Sequence, residues 1–258
     1  MRLNMDESQD KLKADINRLC DEKRYYDAAK LLVKIEDVEG IEQALEDLTR
    51  NWMWKLKDVD DETWSYAYFL DGFCNEFGAY NWREKNLSIA VDAYRESDEL
   101  GNQYAALRLA DCYEKGVPDK EEATKWLRRS AEKGDANAQR RLGSYYYELS
   151  LGKELGFADA QRRFGKYSYS PGIDDADGDW KAAGKKYMAE AVKWTRLAAE
   201  QGDDLARDNF GRYYIIASDE DILSKEEALK WLNVAAAGES RYAADARQWI
   251  ERLGGNGK

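Results

Sequence analysis

One pattern that returns along the chain constrains its fold more than any other feature. Gly134, Ala138, Leu142, Gly143 and the pair Tyr145/Tyr146 reappear as Gly156, Ala160, Phe164, Gly165 and Tyr167. They appear again as Gly202, Ala206, Phe210, Gly211 and Tyr213/Tyr214. A looser copy runs Gly101, Ala105, Leu109, Ala110, Tyr113, and a worn one covers Tyr66, Leu70 and Cys74. A second element precedes the glycines: Ala123, Trp126, Ser130, Ala131, Gly134, matched by Ala191, Trp194, Ala198, Ala199, Gly202. Ala228, Trp231, Ala235 and Ala236 repeat it, and Ala90 to Gly101 follows it more distantly. Self-similarity at this period is the mark of a repeat architecture, in which each unit closes its core only against its neighbours.

Helix geometry explains the spacing. Ala138, Leu142 and Tyr145/Tyr146 fall at i, i+4 and i+7/i+8, which at ~100° per residue places them on one face. Gly143, Gly165 and Gly211 sit beside that face and leave room for a neighbouring helix to come close. In the second element a tryptophan stands one turn before two small residues. The glycine that follows takes the left-handed conformation that stops a helix, so the next one starts almost at once. Each unit therefore reads as two antiparallel helices of about 12 residues. The tryptophans recur at one repeat position and are expected to pack, not to bind ligand.

These residues resemble the Sel-1-like repeat family, a relative of the tetratricopeptide repeats. Its first helix carries Ala-x-x-x-Leu-Gly-x-x-Tyr, as from Ala138 to Tyr146. Its second carries Ala-x-x-Trp-(Tyr/Leu)-x-x-Ala-Ala and then Gly, as from Ala123 to Gly134 and Ala191 to Gly202. The resemblance covers roughly residues 64–258 and implies an all-α fold, an α/α right-handed superhelical solenoid of TPR-like helical hairpins. The chain departs from the pattern in three places. The inter-helix turn survives only as Lys115-Gly116-Val117-Pro118-Asp119, residues 148–156 are short for a second helix, and residues 168–182 form an insertion. Residues 1–62 carry weaker helical stripes: Leu12, Ile16, Leu19; Ala28, Leu31, Leu32, Ile35; and, beyond Gly40, Ala44, Leu48, Trp52 and Trp54. They are expected to extend or cap an array spanning 63–258.

Composition narrows the function. The chain holds no histidine, which removes the commonest general base and metal ligand. Cys20, Cys74 and Cys112 form no CxxC and read as small buried hydrophobes. Asp174, Asp175, Asp177 and Asp179 surround Gly178 but lack the order and the closing glutamate of a calcium loop. No metal, no cofactor and no catalytic group are expected. The N-terminus has neither an apolar run nor a cleavage site, and no stretch approaches a membrane span, so a cytoplasmic protein is expected. Of the net charge of −11, residues 1–100 carry 24 acids against 14 bases, which disfavours nucleic acid and anionic membrane there.

What varies between the copies points to the site. The position two residues after the first alanine reads Leu107, Arg140, Arg162 and Asp208, and faces away from the packed stripe. Another outward position reads Asp111, Ser144, Lys166 and Arg212. Arg140, Arg141, Arg162, Arg163, Lys166 and Arg212, with Arg207, are expected to line a basic strip suited to acidic side chains or a C-terminal carboxylate. The family resemblance implies an adaptor that binds a protein or peptide on its concave face. The alternative is an immunity or inhibitor protein that neutralises a toxin or enzyme.

Overall fold

The computed structural model describes residues 3–35, 37–78, 84–116, 119–155, 180–217, 221–238 and 240–254. Among the described residues the chain is all-α, with twelve α-helices and no strand. They are α1 (Leu3–Asp21), α2 (Tyr25–Leu32), α3 (Glu42–Asp47), α4 (Asp61–Phe77), α5 (Leu87–Glu99) and α6 (Ala105–Lys115). Then come α7 (Lys120–Glu132), α8 (Ala136–Leu155), α9 (Trp180–Glu200), α10 (Asp204–Ala217), α11 (Lys225–Ala237) and α12 (Ala243–Gly254). They form two compact units, residues 1–130 and 131–258.

In the first unit one continuous core joins the N-terminal helices to the repeats. Ile16, Leu32, Ile35, Ile41, Leu45 and Leu48 cluster with Phe69, Leu70, Phe73, Tyr94 and Leu109, all buried. Beyond Gly40, which takes φ +85°, α3 widens into a π turn (Leu48–Trp52) and then tightens into a 3₁₀ turn (Met53–Lys55). That end leaves Trp54 62% exposed. Asp60 caps α4 by accepting from the Thr63 amide at 2.7 Å, and Gly78 closes the helix with φ +68°. Asn86 caps α5 by accepting from the Ser88 and Ile89 amides. The α4–α5 hairpin closes where Gly72 meets Tyr94; a Cβ there would lie 2.7 Å from the ring. Cys20, Cys74 and Cys112 are buried, and burial pushes the Cys20 and Cys112 thiols up to about 12.

A polar cluster crosses this core. The Tyr94 hydroxyl donates to Glu76 Oε2 at 2.8 Å, and Arg108 Nη1 lies 3.7 Å from Glu76 Oε1. The Arg108 guanidinium sits over Phe73 and Phe77, 5.2 and 5.6 Å from their ring centres. It also donates to the Ile35 carbonyl, which ties a first-element helix to the N-terminal segment. Burial raises the Glu76 carboxyl above its ordinary range, against the opposing pull of Arg108 and Tyr94.

In the second unit the repeat logic is explicit. Gly134 and Gly202 both take φ +98°, as Gly101 does at +94° in the first unit. The aspartate after each of the two caps the next helix: Asp135 Oδ1 accepts from the Ala138 amide at 2.7 Å, and Asp203 Oδ1 from Ala206 at 2.8 Å. Gly143 lets α8 approach α9, since a Cβ would stand 3.1 Å from the Ala191 carbonyl oxygen. Gly211 does the same beneath Trp249 of α12, at 2.6 Å from Cγ. Trp194 and Trp231 are buried, as a packing role requires.

Residues 148–155, short for a second helix as expected, lengthen the first beyond the roughly 12 residues expected of it. They do not begin a second helix. They prolong the first, so that α8 runs unbroken for 20 residues beside the 21 residues of α9. The copy from Gly156 to Tyr167, with Gly165, lies outside the described residues, as does the 168–182 insertion up to residue 179. The last insertion residues open α9.

Candidate functional site

The sequence places its candidate residues on the first-element helices, which in the second unit are α8 and α10. Arg140 reaches from α8 to the start of α10, where its Nε lies 3.0 Å from Asp203 Oδ2; its Nη2 also donates to Asn137 Oδ1 at 3.2 Å. Asp203 thus caps α10 with one oxygen and holds Arg140 with the other. Arg207 is engaged as well, donating to the Ala199 carbonyl at 3.1 Å and to Asp204 Oδ1 at 2.9 Å. Arg141 is half-buried, and Arg212 is exposed. Arg162, Arg163 and Lys166 lie outside the described residues.

Exposed Arg212 stands next to a buried aromatic stack and to acidic groups. Tyr147 of α8 stacks on Tyr213 of α10, ring centres 4.6 Å apart and planes 22° apart. Burial pushes the Tyr147 hydroxyl up to about 12, with the Arg212 charge opposing it. Burial alone pushes the neighbouring Glu148 up to about 7.

Asp208 departs from the expected outward pattern. Its helix spacing points it away from the packed stripe, yet it is only 3% exposed. The cause is α12, which closes on α10 through the Gly211–Trp249 contact and brings Asp245 near one turn earlier. Burial pushes the Asp208 carboxyl up to about 6, Asp245 adds to the rise, and Arg212 opposes it. Asp208 Oδ1 makes no hydrogen bond among the described residues.

The Sel1 repeat family matches residues 103–135, 136–154, 158–203 and 223–240. The chain carries Sel1 repeats, four of them between residues 103 and 240. Sel1-repeat proteins generally mediate protein–protein interaction. The fold is also that of the solved Sel1 repeat protein from Oxalobacter formigenes, with a TM-score of 0.51 at 21% identity over 86% of this chain and 83% of that one. A second solved structure is c5321, a protective antigen of uropathogenic Escherichia coli with an SLR fold. It gives 0.39 at 23% identity, over 91% of this chain and 49% of that one. No curated protein matches.

Within the Sel1 second helices, the structure adds a motif that the sequence reading passed over. Glu122, Glu190 and Glu227 each stand one turn before the repeat tryptophan. The Trp126 indole donates to Glu122 Oε2 at 2.9 Å and the Trp194 indole to Glu190 Oε2 at 3.0 Å. Lys125, Lys193 and Lys230 lie over the rings at 5.8, 5.0 and 4.7 Å from the centroids. Glu227 is gripped through both oxygens by Arg196 of α9, at 2.6 and 2.9 Å, and is held below the usual carboxylate range. The signal was in the sequence. The repeat opens at the glutamate, one residue before Ala123, Ala191 and Ala228.

Among the described residues no group of three or more His, Cys, Asp or Glu side chains is placed to hold a metal ion. No described helix is long and apolar enough to cross a membrane.

Proposed function

We propose that this chain is a non-enzymatic adaptor that binds a protein partner on the first-helix, concave face of its Sel1 array. The observation that carries the reading is a division of labour between positions. The repeated residues are committed to the scaffold: left-handed glycines end helices, aspartates cap them, and Trp194 and Trp231 fill the packing between them. The first-helix positions that change from copy to copy place exposed Arg212 beside the stacked Tyr147 and Tyr213. An exposed guanidinium suits recognition of a carboxylate by paired hydrogen bonds. Arg140, Arg141, Arg162, Arg163, Lys166 and Arg212 are the proposed contact residues. Arg140 acts in a form pre-oriented by Asp203.

The test is capture from the native cell, with mass spectrometry, by the intact chain and by a chain carrying Arg162→Glu and Arg212→Glu. The reading expects one or more partners to be lost while the circular dichroism melt stays unchanged. An identical set of partners would dismiss the strip. A second reading, an inhibitor of a toxin or enzyme, draws on the acidic excess of residues 1–100, which suits a basic active site. It requires a one-to-one complex whose association rate falls steeply with salt.

A further inference from the structure

We propose that the seam between α10 and α12 is an anchor site for a basic side chain of the bound partner, with Asp208 as the acceptor and Asp245 as the second carboxylate. The inference rests on reading this face as a protein-binding surface, and it names what that surface takes at one point.

Burial, helix approach and charge meet there. Asp208 is buried, yet its Oδ1 makes no hydrogen bond among the described residues. A buried carboxylate oxygen without a donor is destabilising, and a donor brought from outside the fold relieves it. Second, the carboxylate of Asp245, on the neighbouring helix, is near enough to raise the Asp208 carboxyl further. Gly211 brings the two helices together one turn beyond each aspartate, with Trp249 seated on the glycine. Two like charges brought together across a helix seam favour an incoming cation over any anion. Third, the charged groups facing Asp208 are Asp245 and Arg212, both on exposed residues. An incoming guanidinium takes over the electrostatic place of Arg212, the one cation whose charge opposes the rise at Asp208 among the described residues. A guanidinium suits the site better than an ammonium, because its fork satisfies two carboxylate oxygens at once and it is shed from water more readily.

The probe is n-butylguanidinium, the side chain of arginine without its backbone, titrated into the full chain labelled with carbon-13 at aspartate. The expected result is a saturable shift of the Asp208 carboxyl carbon at millimolar probe, lost in Asp208→Asn and at least threefold weaker in Asp245→Asn. The neutral isostere n-butylurea should produce no saturable shift. Arg212→Gln, a change at an exposed residue, should tighten the probe severalfold because it removes the competing cation; an unchanged or weakened affinity overturns the site. Equal binding by butylurea, or saturation by calcium ion in place of the guanidinium, also overturns it. Failure here is separable from failure of the adaptor reading. A bound probe with partner capture indifferent to the arginine reversals sinks the strip and leaves this site standing. No bound probe, with capture lost on reversal, sinks this site alone.

Discussion

Glu148 shows how much one residue's surroundings set. Burial alone lifts its carboxyl from 4.5 to about 7, so the folded chain holds that proton more tightly than the unfolded chain does. The resulting stabilisation is complete below the unfolded value of 4.5 and is lost as pH rises through about 7. Asp208 adds a loss of the same sign between 3.8 and about 6. Comparing Glu148→Gln with the parent isolates the first contribution. The variant should melt with a flatter pH profile between pH 4.5 and 7, and it should be the more stable of the two at pH 8. The difference there should be on the order of 3 kcal/mol at most, and parallel profiles would refute the assignment. Arg108 makes the opposite case, since its charge is buried to good purpose. Arg108→Ala leaves Glu76 in the core without its cation and should cost about 3–5 kcal/mol in urea denaturation. Pairing Arg108→Met with Glu76→Gln should recover much of that loss.

At the scale of helices, the joints depend on a few backbone positions. Gly202 takes φ +98° between α9 and α10, where an L side chain is strained, so Gly202→Ala should cost about 1–2 kcal/mol. Asp203→Ala removes both the α10 cap and the Arg140 tether and should cost about 1–2 kcal/mol. Scanning calorimetry of the two variants measures both. The glycine joints are legible because only glycine adopts that conformation cheaply, and the glycines beside the packed stripe announce the close approaches at Gly143 and Gly211. The length of α8 exceeds the roughly 12 residues expected of each helix, because the hydrophobic period outlasts the repeat motif. Tyr147 and Leu151 are both buried and four residues apart, so the stripe continues past the motif and the helix continues with it. The site was less legible than the fold for a plain reason. Arg140 meets an acid 63 residues away, and Asp208 is covered by a helix near the end of the chain. Spacing along one helix predicts which way a side chain points; it does not predict what arrives to cover it.

Over the whole molecule the two units differ in kind. The second is built from the repeats themselves, while the first mixes a repeat core with helices that carry no clear copy of the motif. Residues 1–62 were expected to extend or cap the array, and the proposal that follows from the structure is that they support the repeats of the first unit from within. Ile16 of α1 and Leu109 of α6 belong to one buried cluster, and Arg108 fastens α6 to the Ile35 carbonyl. A terminal cap would fray separately, with its own low opening free energy, whereas a shared core opens as one cooperative body. Ile16→Ala distinguishes the two. Removing this fully buried side chain should cost about 2–5 kcal/mol, and hydrogen exchange should show the slowest amides of α4 and α6 losing protection by the same free energy as those of α1. If α1 alone loses protection, the N-terminal helices are an accessory. If all three fall together, the repeats of the first unit depend on a segment that contains no repeat, because the hydrophobic stripes of α4 to α6 are closed on one side by those helices.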